Sequence, residues 1–162
     1  MNNLIVKDFF DTDTSTMSYV VYDSQTKDAI VIDTVLDYDP LVSKFHTSSV
    51  EKIISFIKNE ALKLHLILET HAHADHLTAS QEVKKVFPDA QIAIGERIRE
   101  VQESFRDVYN LKNFNINGIQ FDRLFEDNEK VEAGSLSFQV IFTPGHTPAC
   151  VSYYFENFAL FT

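Results

Sequence analysis

The chain has 162 residues, 44% of them hydrophobic and 23% charged, which is the composition of an ordinary globular domain with its own core. Its 14 lysines and arginines against 24 aspartates and glutamates give a formal net charge of −10, and so acidic a surface disfavours nucleic acid as a partner. Because we find neither a membrane-spanning apolar run nor a secretory signal, we expect a cytoplasmic protein that does not bind membranes.

Strand-like and helix-like segments alternate along the chain. The spacing of Val50, Ile53, Ile54 and Ile57 predicts an amphipathic helix over 50–59. Further helices are predicted over 77–87 and 96–109. Strands are predicted over 4–10, 17–22, 29–33, 64–69, 91–94, 121–125, 136–142, 150–155 and 158–162, with a hairpin turn at 23–28. This alternation predicts a layered α/β domain.

A cluster of metal-binding side chains directly follows the buried strand predicted over 64–69. It comprises three histidines and one aspartate within six residues: His71, His73, Asp75 and His76. If the chain stays extended, His71 and His73 project to the same side, because side chains two positions apart share a face of a strand. Asp75 and His76 then face a second metal or hydrogen-bond the first ligands, and Asp75 is also our candidate catalytic residue. Packing alone does not account for this cluster, so it predicts a metal site.

A second candidate ligand, His146, lies just past the strand predicted over 136–142. Pro144 and Gly145 enforce a tight turn that can aim one side chain at a fixed point. Since Cys150 is the only cysteine, any metal must be held by histidines and carboxylates. Three histidines and a water suit catalytic zinc, whereas two histidines and a carboxylate favour iron(II), and ligand types alone do not decide between them.

The remaining histidines and the cysteine have ordinary structural interpretations. His46 lies in a polar loop and His65 inside a strand-like run, so neither is assigned to the site. Cys150 is interpreted as a small structural side chain, which is the usual role of a lone buried cysteine.

The two histidine motifs resemble the signature of the metallo-β-lactamase superfamily. Residues 70–76 match its first metal motif and residues 143–147 its second, while Asp33 at the end of 30–34 resembles the aspartate that supports the metal loop. The resemblance implies the αββα sandwich of the metallo-β-lactamase fold. The residues that flank these motifs resemble the persulfide dioxygenases, a branch that includes bacterial β-lactamase-hydrolase-like proteins. The stretches that carry this resemblance are residues 35–40, 67–77, 94–96 and 145–153.

This resemblance implies one iron(II) per chain, held by two histidines and one aspartate. The first two ligands fall on His71 and His146, while His73, Asp75 and His76 would orient them or line the pocket. The implied reaction oxidises glutathione persulfide with dioxygen to sulfite and glutathione. The family's aspartate ligand follows a strand like 158–162, so we expect residues 1–162 to be one metallo-β-lactamase-like domain without its last strands and helix.

Two other hypotheses remain open. In a hydrolase of the glyoxalase II type, His71, His73 and His146 would bind one zinc and Asp75 and His76 a second, and a bridging hydroxide would attack a glutathione thioester. In the other, the chain is an inactive fragment that binds iron weakly. The sequence is compatible with a homo-oligomer and does not identify the thiol carrier. A carboxylate of glutathione would be bound by cationic side chains, and the candidates for this role are Arg97, Arg99 and Arg106.

Overall fold

The computed structural model describes residues 3–162, in which strands and helices alternate as the sequence predicts, and the α/β class is confirmed. The helices are α1 (Ser48–Asn59), α2 (Ser80–Val86) and α3 (Ile98–Val108). The strands are β1 (Leu4–Asp11), β2 (Thr16–Asp23), β3 (Asp28–Ile32), β4 (Val35–Asp39), β5 (Lys44–His46), β6 (Lys63–Leu68), β7 (Leu77–Thr78), β8 (Gln91–Gly95), β9 (Arg123–Phe125), β10 (Lys130–Ala133), β11 (Leu136–Phe142), β12 (Val151–Phe155) and β13 (Ala159–Phe161).

The described chain forms two compact units. The first contains the chain up to Leu68 together with His73–Gln91 and Glu132–Leu136, and the second contains Glu69–Ala72, Ile92–Val131 and Ser137–Thr162. Within residues 3–162, no helix is both long and apolar enough to cross a membrane.

The first unit is built on a sheet in which β1, β2 and β3 run antiparallel and β6 pairs parallel to β3. The predicted hairpin of the second and third strands is thereby confirmed. From Ala29 to Ile32 every residue of β3 is fully buried, as expected for a strand with both faces covered. Helix α1 buries Val50, Ile53 and Ile57, so the predicted apolar stripe is confirmed, and the helix begins two residues earlier than expected.

A small three-stranded sheet in the first unit, of order β5-β4-β7, lies outside the sequence-based prediction. Leu77 and Thr78 pair with Leu36 and Val35 in an antiparallel ladder, so the helix predicted from residue 77 begins only at Ser80. The helical pattern of this segment gives way because ladder pairing satisfies the same backbone groups that a helix would use.

The second unit contains α3 and the antiparallel strands β11, β12 and β13. A buried apolar cluster is formed by Ile94, Ile98, Val101 and Ala149, so α3 packs through the face that carries Ile98 and Val101. The Phe138 and Tyr153 rings pack edge to face at a centroid distance of 5.6 Å. Strand β12 is thereby fixed in position, and it carries the contacts that hold the candidate site.

Candidate metal centre

The segment that joins β6 to β7 carries four of the five predicted metal ligands. Strand β6 is buried through its apolar side chains, which are those of Leu64, Leu66, Ile67 and Leu68. Regular secondary structure ends before Glu69. Bends at residues 70–71 and 74–76 replace the extended backbone on which we based a shared face for His71 and His73. Among residues 3–162 no strand ladder includes residues 70–76, so this segment follows the contacts of its individual residues.

His73 is held by a buried aspartate from the end of β3. Its Nε2 lies 3.1 Å from Asp33 Oδ1, and the two side chains are only 8% and 9% exposed. Because an ionised carboxylate only accepts hydrogen bonds, Nε2 of His73 is the donor in this contact and carries a proton. Nδ1 lies 4.0 Å from Asp75 Oδ1. The second ring nitrogen of His73 therefore points toward a further acidic group.

The backbone of Asp33 is fixed as firmly as its side chain. Its amide donates to the Leu68 carbonyl at 2.9 Å, and its carbonyl accepts a hydrogen bond from the Ser18 hydroxyl at 2.5 Å. Its φ of 51° lies in the left-handed region, which aspartate and asparagine tolerate better than most residues. Asp33 is thus positioned by β2 and β6 to orient His73.

His76 completes a candidate ligand group with His73 and Asp75. One ligand atom from each of these three residues lies within 4.8 Å of the others. The centroids of the two imidazole rings, those of His73 and His76, are 4.2 Å apart. His76 Nδ1 lies 3.1 Å from the Leu77 carbonyl, so Nδ1 carries the proton that it donates. Burial lowers the pKa of His76 below its ordinary value, which favours the neutral ring.

The remaining nitrogen of His76 fits a metal ion. Nε2 is buried and has no hydrogen-bond partner among residues 3–162. A buried imidazole nitrogen with an unused lone pair is unfavourable unless it finds a donor or a cation. Together with Nδ1 of His73 and the carboxylate of Asp75, it forms the donor set of two histidines and one carboxylate that suits zinc or iron(II).

The other two predicted ligands, His71 and His146, meet in the second unit. Their rings contact edge to face with centroids 5.0 Å apart. His71 Nδ1 lies 3.0 Å from the hydroxyl oxygen of Thr70, which fixes the orientation of the ring. His146 is exposed in the turn after β11. The structure thus brings together two histidines that are far apart in the sequence.

Strand β12 and Cys150, the residue that precedes it, anchor the two segments that carry these histidines. The Val151 amide donates to the Thr70 carbonyl at 2.9 Å, and the Tyr153 hydroxyl donates to the Glu69 carbonyl at 2.7 Å. At the other segment, the Thr143 amide donates to the Cys150 carbonyl at 3.0 Å. The Cys150 sulfur accepts a hydrogen bond from the Thr147 amide at 3.3 Å, so this cysteine has the structural role predicted for it.

The predicted ligands therefore fall into two groups, with His73, Asp75 and His76 in the first unit and His71 and His146 in the second. His46 and His65, which the sequence left unassigned, belong to neither. His65 instead lies 2.7 Å from the carboxylate of Asp28.

Comparison with known proteins was made on both sequence and structure. The family model described as the metallo-beta-lactamase superfamily matches residues 11–157. A protein named Glyoxylase B2 from Dictyostelium discoideum is 43% identical over 99% of this chain and 55% of its own length. A beta-lactamase hydrolase-like protein from Xylella fastidiosa (strain 9a5c) is 40% identical over 91% of this chain and 34% of its own length. The human mitochondrial persulfide dioxygenase ETHE1 is 24% identical over 97% of this chain and 50% of its own length.

Among solved structures, ETHE1 from Myxococcus xanthus superposes with a TM-score of 0.67 and 27% identity, covering 92% of this chain and 52% of that one. The BLEG-1 B3 metallo-beta-lactamase gives a TM-score of 0.69 and 28% identity, covering 96% and 70%. The predicted fold and the resemblance stated from the two histidine motifs are confirmed. This chain spans about a third to a half of the length of these curated relatives.

Proposed function

Because this chain belongs to the metallo-beta-lactamase superfamily, we propose that it is part of a metal-dependent enzyme with an iron(II) centre that oxidises the persulfide of a small thiol. The substrates would be dioxygen and a persulfide such as glutathione persulfide, and the products sulfite and the free thiol. The observation that carries this proposal is the contact between His71 and His146, which brings the two motif histidines to a centroid distance of 5.0 Å. The similarity to persulfide dioxygenase ETHE1 supports it.

In this proposal His71 and His146 are direct ligands of one iron. When bound, iron(II) would supply the electron transfer that lets dioxygen react with sulfur. Thr70 orients the His71 ring, and the turn shaped by Thr147 and Cys150 presents His146. Two anchored imidazoles lose little freedom on binding, so the protein contributes a preformed half of the ligand set.

His73, Asp75 and His76 have a supporting role in this proposal. Asp33 fixes His73 through Nε2, and Asp75 lies 4.0 Å from the other ring nitrogen. These contacts fix the orientation of the His73 ring, which in this proposal is not itself an iron ligand. Asp75 is 60% exposed and can exchange protons with solvent, so it is our candidate for a catalytic carboxylate.

The test is oxygen consumption by the iron-loaded protein with glutathione persulfide as substrate. We expect uptake matched by sulfite formation, and one iron per chain by elemental analysis. His71→Ala and His146→Ala should each lose iron and uptake together, whereas His46→Ala, at an exposed histidine outside both groups, should retain both. Absence of oxygen uptake by protein that holds one iron per chain would refute the proposal.

A second candidate is a zinc hydrolase that cleaves a glutathione thioester. It is favoured by the ligand group of His73, Asp75 and His76, whose donor atoms lie within 4.8 Å of one another, and by the unpartnered Nε2 of His76. The similarity to Glyoxylase B2 also supports it. Zinc would supply an activated water at neutral pH. In this candidate His73, Asp75 and His76 are themselves ligands.

Metal stoichiometry separates the two candidates. Two zinc ions per chain, and thioester hydrolysis without oxygen uptake, would select the hydrolase. The variant His76→Ala sharpens the comparison, since it should remove one of two metals from the hydrolase but leave the iron content of the dioxygenase unchanged.

A further inference from the structure

Helix α3 carries an apolar stripe that the core of the second unit covers only in part. Ile98 and Val101 are buried in the apolar cluster described above. Because side chains three and four positions apart share a face of a helix, Phe105 and Val108 continue the same stripe toward the end of α3. Both of these side chains are exposed. The second half of the stripe therefore faces solvent instead of the core.

The end of α3 and the turn after it bring further apolar side chains beside this half of the stripe. The Tyr109 ring stacks on that of Phe105, with centroids 5.5 Å apart and an angle of 12° between the ring planes. The Leu111 amide donates to the Arg106 carbonyl at 2.9 Å, and the Phe114 amide donates to the Leu111 carbonyl at 3.0 Å. These side chains form what we call the α3 patch, which lies within the second unit. Its members are between 38% and 74% exposed and are Phe105, Val108, Tyr109, Leu111 and Phe114.

The exposed area of the α3 patch is large enough for a protein–protein interface. From the ordinary areas of such side chains and their exposed fractions, the patch leaves roughly 500 Å² of largely apolar surface in contact with water. A contiguous patch of this size is near the upper end for a monomer and marks an interaction site. A specific interface needs about 1,000 Å² of buried surface in total. Two copies of the α3 patch supply this area between them, and the polar residues around each patch add to it.

The composition of the α3 patch fits the centre of such an interface. Three of its five members are aromatic and none is charged, and this enrichment and depletion distinguish interface cores from other surface. Beside the patch, Arg106 lies 3.0 Å from Asp107 and Arg99 lies 3.7 Å from Glu96, so these cations already have acidic partners. The occupant of the patch is therefore an apolar surface and not a charged one.

A lipid surface matches α3 less well than a protein does. Helices that bind in the plane of a membrane carry mainly lysines and arginines on their polar side. Helix α3 has three acidic residues against two basic ones, so an anionic leaflet repels its polar side. A second copy of this chain, by contrast, presents an apolar surface of the same area.

We propose that the α3 patch is the interface of a symmetric homodimer, in which the patches of two copies of this chain pack against each other. In a twofold-symmetric interface both partners use the same surface, so each patch is matched in size and polarity. The exposed stripe of one α3, at Phe105 and Val108, packs against that of the other, as apolar helix faces do. No member of either candidate ligand group belongs to the patch, so this inference does not depend on the proposed function.

The test is sedimentation velocity of the metal-loaded protein at concentrations from about 1 μM to about 100 μM. Because the apolar area is near the lower limit for a specific interface, we expect a dimer that dissociates within this range. Its mass at the upper end should be twice that of the 18.6 kDa chain. Each chain carries a net charge of −10, so two copies repel each other outside the patch. Association should therefore strengthen when salt is raised from about 0.01 M to about 0.15 M, which screens this repulsion.

A matched pair of valine substitutions locates the contact. Val108→Lys places a charge in the α3 patch and should weaken dimerisation by at least about 100-fold, because a buried lysine without a partner is strongly unfavourable. Lysine suits the C-terminal end of a helix, so the monomer should stay folded, and thermal unfolding checks this. Val42→Lys makes the same change at an exposed valine of the first unit and should leave dimerisation unchanged.

Hydrogen exchange gives a second readout that requires no substitution. Exchange at residues 105–114 should be slower at about 100 μM than at about 1 μM, because association protects the segment that it covers. Residues 41–46 of the first unit, which also carry exposed apolar side chains, should exchange equally at both concentrations.

The outcomes decide between this interface and its alternatives. A protein that stays monomeric at about 100 μM would overturn the inference, whether or not it then bound vesicles of phosphatidylcholine and phosphatidylserine. A dimer that resists Val108→Lys as well as Val42→Lys, or one without protection of residues 105–114, would place the interface elsewhere and equally overturn it. Loss of the dimer in Val108→Lys alone, with protection of residues 105–114, would establish it whatever reaction the metal centre catalyses.

Discussion

At the scale of single residues, Asp33 is the clearest case of a side chain that acts through another. It is buried, its backbone is fixed by Ser18 and Leu68, and its carboxylate holds Nε2 of His73. Its carboxylate contacts the candidate ligand His73 at Nε2. The consequence is that its charge should matter for metal affinity more than for folding.

In the zinc hydrolase, where His73 is itself a ligand, we expect Asp33→Asn to weaken zinc binding while the protein stays folded. Asparagine tolerates the left-handed φ of 51° but carries no charge, so the imidazole of His73 becomes less basic and less firmly held. Affinity should fall by about 10- to 100-fold, the usual effect of losing a group behind a metal ligand. Competition against a chromogenic chelator measures it, with Asp89→Asn, at an exposed aspartate, as control. An unchanged affinity would show that Asp33 serves folding alone.

The stability of the first unit at low pH should depend on the contact between a second aspartate, Asp28, and His65. The hydrogen bond from His65 at 2.7 Å, together with that from the Ser135 amide, holds the pKa of Asp28 well below its ordinary value of 3.8. A carboxyl group whose pKa is lowered by folding stabilises the folded state above its unfolded pKa, and this contribution is lost as the pH falls.

Asp28→Asn should lower the free energy of unfolding at pH 7 by about 1 kcal/mol, a modest value because His65 is 36% exposed and the pair is partly screened. The difference from the unsubstituted protein should shrink as the pH is lowered below 3.8, where the contribution of Asp28 begins to be lost. Urea unfolding at a series of pH values measures this, and a difference that stays constant down to acid pH would contradict it.

At the scale of elements, the turn between β10 and β11 packs directly on this pair. Gly134 has a φ of +61°, and a Cβ atom placed there would come within 2.6 Å of His65 Nε2 and also meet the Asp28 carboxyl group. Both the backbone conformation and the close approach require glycine. The adjacent Ser135 hydroxyl lies 2.6 Å from that of Thr26, so the turn is tied to the start of β3.

Gly134→Ala should destabilise the protein by about 1–3 kcal/mol, because the new methyl group adds a steric conflict to an unfavourable φ. Thermal unfolding measures it. Gly145→Ala is the matched control, since a Cβ atom there meets nothing within 4 Å and this glycine's φ is not in the left-handed region. Equal unfolding temperatures for the two variants would mean that the turn relaxes without strain.

The elements also show where reading the sequence succeeds. The dense apolar runs predicted β3 and β6, and the strand over 136–142 was predicted with both ends correct. Strands β4 and β5 were missed because Val35 is the only buried residue among them, so they carry no apolar pattern. The alternation of buried Val131 and Ala133 with exposed residues is a signal that could have found β10.

At the scale of the whole molecule, some features of the candidate site were predicted from the sequence and others were missed. The two histidine motifs predicted the candidate ligands, and the structure brings these residues together in two groups. A cavity of the first unit, lined by Asp11, Asp13 and Asp37, was not predicted because these aspartates lie in separate segments with ordinary local composition. Local patterns predict which residues have suitable chemistry, whereas convergence from distant segments depends on the tertiary structure.

The division of the proposed ligands between the two units gives a prediction for the whole chain. His71 and His146 belong to one unit, and His73, Asp75 and His76 to the other. A bound metal slows amide exchange mainly in the segments that it ties together, because it binds the folded state and not the opened one. At 100 times its dissociation constant, the stabilisation amounts to about 2.7 kcal/mol.

If the iron centre uses His71 and His146, the first equivalent of iron(II) should slow hydrogen exchange at residues 69–72 and 143–151. Residues 73–78 should respond only to a second metal equivalent, such as zinc in the hydrolase. Helix α1, which carries no proposed ligand, serves as the internal control in the same mass-spectrometric experiment. Protection of residues 73–78 by the first iron equivalent would move His73, Asp75 or His76 from supporting groups to direct ligands, and would favour the three-histidine site over the two-histidine one.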